Sequence, residues 1–271
     1  MAPESTRSET APAPRWTAVA LPAEHGGWGL LLEPIALGLA IAPSLSGLGL
    51  AIAALFVFLG RLPFRLALQD RLRGGFYPRT RLAWRLAVAF GMAAMAFGIP
   101  SLVGAPRPAW LALALAAPLG LVQLRFDLRN RGRDLVPEML GAVALSASTP
   151  IVALVGGAPV AVAFAAGGLI AVRAFSAILY VRARLRRARG RPAERTPALL
   201  SHAIALAAAG VLSWSQLGPW LGVVAFALLA ARALHGLRAA PPVRPQVVGM
   251  QEVAWGVCTV VLLAVGYRAG L

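Results

Sequence analysis

The sequence has little charge and almost no cysteine. Only 13% of its 271 residues are Asp, Glu, Lys or Arg, about half of the roughly 25% found in average soluble domains. Lysine is absent, so all 26 basic residues are arginines. The single cysteine, Cys258, lies in an apolar run, which excludes an intrachain disulfide and a site built from several thiolates. So few polar residues cannot cover a soluble core of this size, which excludes a soluble enzyme.

Apolar residues make up 59% of the chain, and the mean hydropathy is +0.73. This composition predicts an all-α fold, a polytopic bundle of membrane-spanning helices, because a span needs about 20 apolar residues. The first 20 residues lack the apolar core of a signal peptide. They are predicted to form a disordered cytoplasmic tail, and residues 21–271 a single transmembrane domain. The nine predicted spans are 27–44, 47–68, 82–103, 108–124, 135–155, 158–181, 197–215, 218–238 and 247–267.

The arginines are concentrated in alternate loops. The loops after spans 2, 4, 6 and 8 are basic, whereas the loops on the other side hold only Arg107. By the positive-inside rule this predicts a cytoplasmic N-terminus and an external C-terminus in a bacterial inner membrane. In so apolar a chain, the net charge of +16 indicates contact with anionic lipid headgroups rather than with nucleic acid.

The spans show a weak internal repeat. Spans 2–5 and 6–9 share an arginine about two turns before a basic loop, Arg61 and Arg173. They also share a glutamate at the start of their last span, Glu138 and Glu252. Repeats of this kind place shared sites at the interface between the halves.

Ionisable side chains inside the predicted spans are the main functional candidates, because they are costly in a membrane. Arg61 and Arg173 lie deep in their spans at matching positions, which favours a lined cavity open to the cytoplasm. An arginine nearer the interface, such as Arg65, can instead extend to the headgroups. The candidate ligand-binding residues are Glu24, His25, Glu33, Arg61, Arg65, Asp70, Arg71, Tyr77, Arg125, Asp127, Glu138, Arg173, Tyr180, Arg182, His202 and Glu252.

Two groups of candidates have a structural alternative. Glu24 can hold the imidazole of His25 beside two glycines, or His25 simply faces the headgroups at a helix start. Asp70 and Asp127 lie near basic loops, where they either pair with arginines or hold a divalent cation against phosphates. Asp70 is the only metal candidate, and no catalytic residue is assigned.

The opening segment, PAEHGGWGLLLEPIALG, resembles the Pro-x-x-His-Gly-x-Trp opening of the YwiC-like family of bacterial integral membrane proteins. The similarity continues through RLPFRLALQDRLRGGFYPRTRLAWR and YVRARLRR. The resemblance covers most of the chain after residue 20 and implies a bacterial multi-pass membrane protein.

The architecture also resembles the UbiA-type membrane prenyltransferases, through nine spans, polar loops after spans 2 and 6, and the segment LVQLRFDLRNRGRDLVPEMLG. This resemblance implies a cavity that binds an isoprenoid diphosphate through Mg²⁺ held by two Asp-rich motifs. Here the first motif is reduced to Asp70. The second is replaced by Tyr180, Arg182, Arg184 and Arg187. Arginines can bind an anionic headgroup directly, so the resemblance leaves the need for Mg²⁺ open.

These observations favour a membrane protein that binds an amphipathic anionic ligand of isoprenoid or phospholipid type, with or without group transfer. Two alternatives stay open at this point. One is a small-anion transporter, because repeated halves with buried charges are common in transporters. The other is an assembly or scaffold protein whose basic face docks a protein partner.

Overall fold

A computed structural model describes residues 16–21, 25–238 and 242–271. In these ranges the chain is helical and has no strand. The helices are α1 (Trp16–Ala20), α2 (His25–Ile41), α3 (Leu45–Leu72), α4 (Pro78–Leu102), α5 (Arg107–Leu128), α6 (Leu135–Ser146), α7 (Ser148–Val155), α8 (Val160–Ala188), α9 (Thr196–Trp214), α10 (Trp220–Arg238) and α11 (Pro245–Ala269).

Every predicted span coincides with a helix, with α6 and α7 together forming the fifth. Among the described residues, eight helical segments are long and apolar enough to cross a membrane, and α2 is a shorter apolar helix. The chain is therefore an all-α, multi-pass membrane protein, as the sequence predicted. At 1.5 Å per residue, the 28 residues of α3 extend about 42 Å, beyond a hydrocarbon core of about 30 Å.

Proline residues decide two of the boundaries. The helix α2 ends at Ile41, just before Pro43, because the residue preceding a proline is disfavoured in the helical conformation. Ser44 then caps α3, its hydroxyl accepting a hydrogen bond from the Gly47 amide at 2.9 Å. The break between α6 and α7 falls where Pro150 has no N–H to donate to the Ser146 carbonyl.

The helix α2 lies at the centre of the bundle and packs against α3, α6, α7, α8 and α11. Gly38 allows α7 to come close, because a Cβ atom there would lie 2.9 Å from the Thr149 carbonyl oxygen. The Thr149 hydroxyl also donates to the Pro34 carbonyl at 3.0 Å. The main core cluster joins α2 to α8, α9, α10 and α11 through buried residues such as Leu37 and Phe226.

The described end of the predicted tail is helical. Trp16–Ala20 form α1, and Val19 packs with Ala67 of α3 and Ala83 of α4. The prediction of a disordered segment over residues 1–20 therefore does not hold for residues 16–20, because Val19 and Ala20 are buried against the bundle. Residues 1–15 lie outside the described residues.

Consecutive spans run in alternate directions, so the loops after α3, α5 and α8 lie at one end of the bundle. These loops carry most of the arginines outside the helices. This end is called the basic end below, and it is the end that positions the candidate functional residues.

Candidate functional site

A large apolar cavity lies between α3, α4, α5 and the α6–α7 pair, with a volume of about 870 Å³. That volume is near the upper end of the roughly 300–1,000 Å³ typical of small-molecule pockets. Its lining runs along α3 from Leu50 to Phe64, a length of about 21 Å at 1.5 Å per residue. The consecutive helices α4 and α5 barely contact each other. Rim residues such as Val57 and Leu121 are exposed, so the cavity opens sideways from the bundle.

Among the described residues, three polar side chains line this cavity: Arg61, Gln123 and Ser148. Arg61 is the only charged one, and it lies toward the basic end of α3. Its Nε and Nη2 atoms donate to the same Asp127 carboxylate oxygen, at 2.7 and 2.6 Å. The Asp127 side chain is 2% exposed, whereas that of Arg61 is 39% exposed. The ion pair therefore fixes the arginine at the cavity without burying it.

Gln123 is buried in the same lining, and its Oε1 atom has no hydrogen-bond partner within the described ranges. Gly141 makes room for this amide, because a Cβ atom there would overlap the Gln123 side chain. A buried amide oxygen without a partner is energetically costly. An apolar cavity with an arginine and a free acceptor toward its basic end has the chemistry of an amphipathic ligand site.

A second group of ionisable residues is buried between α2 and the helices α8–α11. We call Glu33, Arg173, Tyr180, Arg232 and Glu252 the buried charge cluster. Arg173 Nη1 lies 2.7 Å from Glu33 Oε2, with the two side chains 4% and 8% exposed. Arg173 Nη2 donates to the backbone carbonyl of Glu252 at 3.0 Å. Arg173 therefore ties α8 to both α2 and α11.

Arg232 continues the cluster onto α10. Its Nη1 atom lies 2.6 Å from Glu252 Oε1, and its guanidinium carbon lies 4.1 Å from the centre of the Tyr180 ring. Trp255 lies beside the same guanidinium, 5.7 Å away. His202 meets the Tyr180 ring edge to face at 6.2 Å, and its Nδ1 contacts the Ala198 carbonyl at 2.7 Å.

A glycine makes the cluster sterically possible. A Cβ atom on Gly256 would overlap Glu33 Oε1 and lie 2.8 Å from Arg173 Nη2. The two glutamates balance the two arginines in charge. Within the described part of the chain, four polar atoms of the cluster are nevertheless buried without a hydrogen-bond partner. They are Arg173 Nε, Arg232 Nε, Arg232 Nη2 and Glu252 Oε2.

The surroundings of Asp70 do not fit a magnesium site. Arg79 donates to both Asp70 carboxylate oxygens, at 2.7 and 3.1 Å, and the Thr80 hydroxyl donates at 2.8 Å. Across the described ranges, no three His, Cys, Asp or Glu side chains come together in a group that could hold a metal ion. Through these hydrogen bonds, Asp70 instead links the C-terminal end of α3 to the start of α4.

Arg182 and Glu138 form a further ion pair between α8 and α6. Both Nε and Nη2 of Arg182 donate to Glu138 Oε2, at 2.9 and 2.7 Å, and Arg182 also contacts the Arg133 carbonyl. The pair is partly exposed and lies toward the basic end. It links the two groups of helices that the internal repeat predicts.

The remaining sequence candidates lie apart from these sites. Arg71 and Arg125 are exposed, Tyr77 precedes α4 with an exposed ring, and the Nε atom of Arg65 is buried without a partner in the described chain. Glu24 and the side chain of His25 lie outside the described residues. The structure thus joins Glu33, Arg173, Tyr180, His202 and Glu252 in one place, and Arg61 with Asp127 in another.

Two residues of these sites were not predicted from the sequence. Arg232 lies six residues before the end of α10, a position from which an arginine can also extend to the headgroups. The available signal was Glu252, an acid inside a predicted span without an assigned partner. Gln123 carries no charge, and only the cavity around it distinguishes it from other span residues.

The family model described as YwiC-like protein matches residues 21–153. This range contains α2 to α6 and most of α7, including Glu33 and most of the cavity lining. No curated protein and no solved structure matches the chain. Over residues 21–153 the chain is therefore similar to the YwiC-like family, which agrees with the resemblance of its opening motif.

Proposed function

We propose that this protein binds an amphipathic anionic lipid, of isoprenoid or phospholipid type, in the cavity between α3 and α7. The hydrocarbon tail lies along the apolar walls, and the anionic headgroup meets Arg61 toward the basic end. The observation that carries the proposal is this cavity of about 870 Å³, in which Arg61 is the one charged side chain that the described residues contribute.

The walls favour a tail because their side chains are almost entirely aliphatic or aromatic. Each CH₂ group that moves out of water contributes roughly 0.8 kcal/mol, but a tail that arrives from the bilayer gains little from hydrophobicity alone. Selectivity therefore depends on the headgroup. Arg61 uses Nε and Nη2 for Asp127, which leaves Nη1 to donate to a phosphate or carboxylate. Gln123 Oε1 accepts from a ligand hydroxyl.

The orientation belongs to the same proposal. The positive-inside rule places the basic end in the cytoplasm, in the inner membrane of a bacterium. With nine spans, the residues before α2 are then cytoplasmic and those after α11 external. The headgroup site accordingly lies on the cytoplasmic side, where anionic lipids and soluble co-substrates are available.

Group transfer to or from the bound lipid, as in the UbiA-type enzymes, is the finer form of the proposal. The Asp70 carboxylate already accepts hydrogen bonds from Arg79 and Thr80, so it is not free to hold a metal ion for such a transfer. Direct recognition by arginine predicts binding that does not depend on magnesium.

The test is thermal stabilisation of the purified protein by polyprenyl diphosphates and by phosphatidate, with magnesium and then with EDTA. A ligand that binds only the folded state adds about 2.7 kcal/mol at a hundredfold excess over its dissociation constant. We expect stabilisation by at least one of these lipids in EDTA. No stabilisation by either lipid under both conditions would contradict the proposal.

A pair of variants locates the headgroup. Removing Arg61 alone leaves Asp127 buried without its partner, so Arg61→Gln is combined with Asp127→Asn. We expect this double variant to weaken lipid binding about tenfold or more, since a charge-assisted hydrogen bond contributes roughly 1.5–3 kcal/mol. Arg85→Gln is the matched control, because Arg85 is an exposed arginine of α4 that does not line the cavity. Equal binding by both variants would remove Arg61 from the site.

A further inference from the structure

We infer that the buried charge cluster holds a second binding site, separate from the lipid cavity, for a phosphate group that retains a proton. The site consists of the free edge of the Arg232 guanidinium together with the unpartnered oxygen of Glu252. The inference does not depend on the lipid site, because none of these residues lines the cavity.

The free edge of Arg232 is a bidentate hydrogen-bond donor. Its Nη1 atom is held by Glu252 at 2.6 Å, whereas Nε and Nη2 are buried without a partner in the described chain. These two atoms carry parallel N–H groups on one side of the planar guanidinium. Such a fork matches two oxygens of a phosphate or a carboxylate.

The fork is held rigidly. Tyr180 lies 4.1 Å below the guanidinium, and Trp255 lies beside it at 5.7 Å. A cation on aromatic faces is stabilised by the ring quadrupoles, so the two rings orient the Arg232 guanidinium without using the fork. The rings form no hydrogen bond with Nε or Nη2, so burying these two N–H groups without a partner still costs free energy.

The other unpartnered atoms of the cluster define the ligand. Arg173, whose side chain is 4% exposed, likewise leaves its Nε atom without a partner in the described chain. Glu252 Oε2 is an unpartnered acceptor on the carboxylate that holds Arg232. A carboxylate ligand offers only acceptors, whereas a phosphate with a P–OH group offers oxygens to the arginines and a proton to Glu252. The set of partners therefore favours protonated phosphate.

Arg182 differs from Arg232, whose Nε and Nη2 are both unpartnered in the described chain. Arg182 also lies in a mostly apolar helix and pairs with a glutamate, but its Nε and Nη2 both donate to Glu138. Its corresponding edge is already occupied. Arg182 therefore provides a matched control for substitutions of Arg232.

Because the fork atoms are covered, phosphate reaches them only when the covering side chains shift. The test is titration of the purified full-length protein with inorganic phosphate and, separately, with sulfate at equal ionic strength, by thermal stabilisation and Trp fluorescence. We expect saturable phosphate binding and at least tenfold weaker binding of sulfate, which has no proton to donate at neutral pH. Nanodiscs with phosphatidate or with phosphatidylcholine distinguish a lipid headgroup from free phosphate.

Arg232→Lys retains the positive charge beside Glu252 but removes the fork. We expect it to weaken phosphate binding about tenfold or more, as the loss of charge-assisted hydrogen bonds implies, while Arg182→Lys binds like the wild type. If Arg232→Lys does not fold, Glu252→Gln replaces it, because it keeps an oxygen for Arg232. An amide cannot accept the phosphate proton as a carboxylate does, so we expect Glu252→Gln to lose the preference for phosphate over sulfate.

Three results would overturn the inference. The first is the absence of a saturable response both to phosphate in solution and to phosphatidate in nanodiscs. The second is equal affinity of the wild type for phosphate and sulfate. The third is an equal loss of phosphate affinity in Arg232→Lys and Arg182→Lys. A response to phosphatidate but not to free phosphate, lost in Arg232→Lys, would support the site and identify its ligand as a lipid headgroup.

Discussion

Removing one partner of the Glu33–Arg173 ion pair should strongly destabilise the protein. The two side chains are 8% and 4% exposed, and their charged atoms are 2.7 Å apart. Arg173→Gln leaves Glu33 charged and unpaired in a membrane-buried environment and weakens the bond to the Glu252 carbonyl. Breaking a buried pair in this way costs about 3–5 kcal/mol, so we expect a loss of unfolding free energy of that size.

The control is Arg131→Gln, which removes an ion pair of the same 2.7 Å length whose side chains are 62% and 46% exposed. An exposed pair contributes at most about 1 kcal/mol. The assay is reversible unfolding in mixed micelles with increasing sodium dodecyl sulfate. Adding Glu33→Gln to Arg173→Gln should recover part of the loss, because no buried charge then remains unpaired. The reasoning is refuted if Arg173→Gln and Arg131→Gln are equally stable.

Three further substitutions, the first with a control, test helix packing and the hydrogen bonds of Asp70. Gly256→Ala places a methyl group against Glu33 and Arg173 and should cost about 1–3 kcal/mol in the same unfolding assay. Gly210→Ala, which meets nothing within 4 Å, should not lower stability; equal losses would refute the close approach. Gly38→Ala overlaps α7 and should lower the midpoint of thermal unfolding, and an unchanged midpoint would contradict that contact. Asp70→Asn weakens the hydrogen bonds from Arg79 and Thr80 and should cost about 1 kcal/mol equally with magnesium and with EDTA; a magnesium-dependent loss would restore a metal role for Asp70.

The spans were predictable because each depends on local composition. Long apolar runs separated by arginine-rich loops place α3, α4 and α9 to α11 within four residues of their observed bounds, whereas α8 continues seven residues beyond its predicted end. The short helix α1 was not predicted, because its stability depends on Ala67 and Ala83 of distant helices. Pro150 is a local sequence signal for the break between α6 and α7. The hydropathy pattern does not reveal this break, because the apolar run continues across it.

The candidate sites were predictable as a list of residues but not as an arrangement. Depth in the membrane can be counted along a span, and it identified Glu33, Arg61, Arg173 and Glu252. Position along a span does not reveal which helices pack against each other. The matching positions of Arg61 and Arg173 favoured one lined cavity, but only Arg61 lines it. Arg61 pairs with Asp127 on α5, whereas Arg173 pairs with Glu33 on α2. The central position of α2 produces this separation.

The most direct test of the central claim is the amount of anionic lipid that co-purifies with the protein, measured by native mass spectrometry. Gly91 and Gly120 line the cavity, and an added Cβ atom meets nothing within 4 Å at either position. Because a Cβ atom is accommodated at both positions, we expect Gly91→Phe and Gly120→Phe to place a phenyl ring in the cavity. Gly210→Phe adds the same side chain on α9, away from the cavity. We expect bound lipid in the wild type and in Gly210→Phe and its loss in both cavity variants. Equal lipid in all four proteins would contradict a lipid-binding cavity.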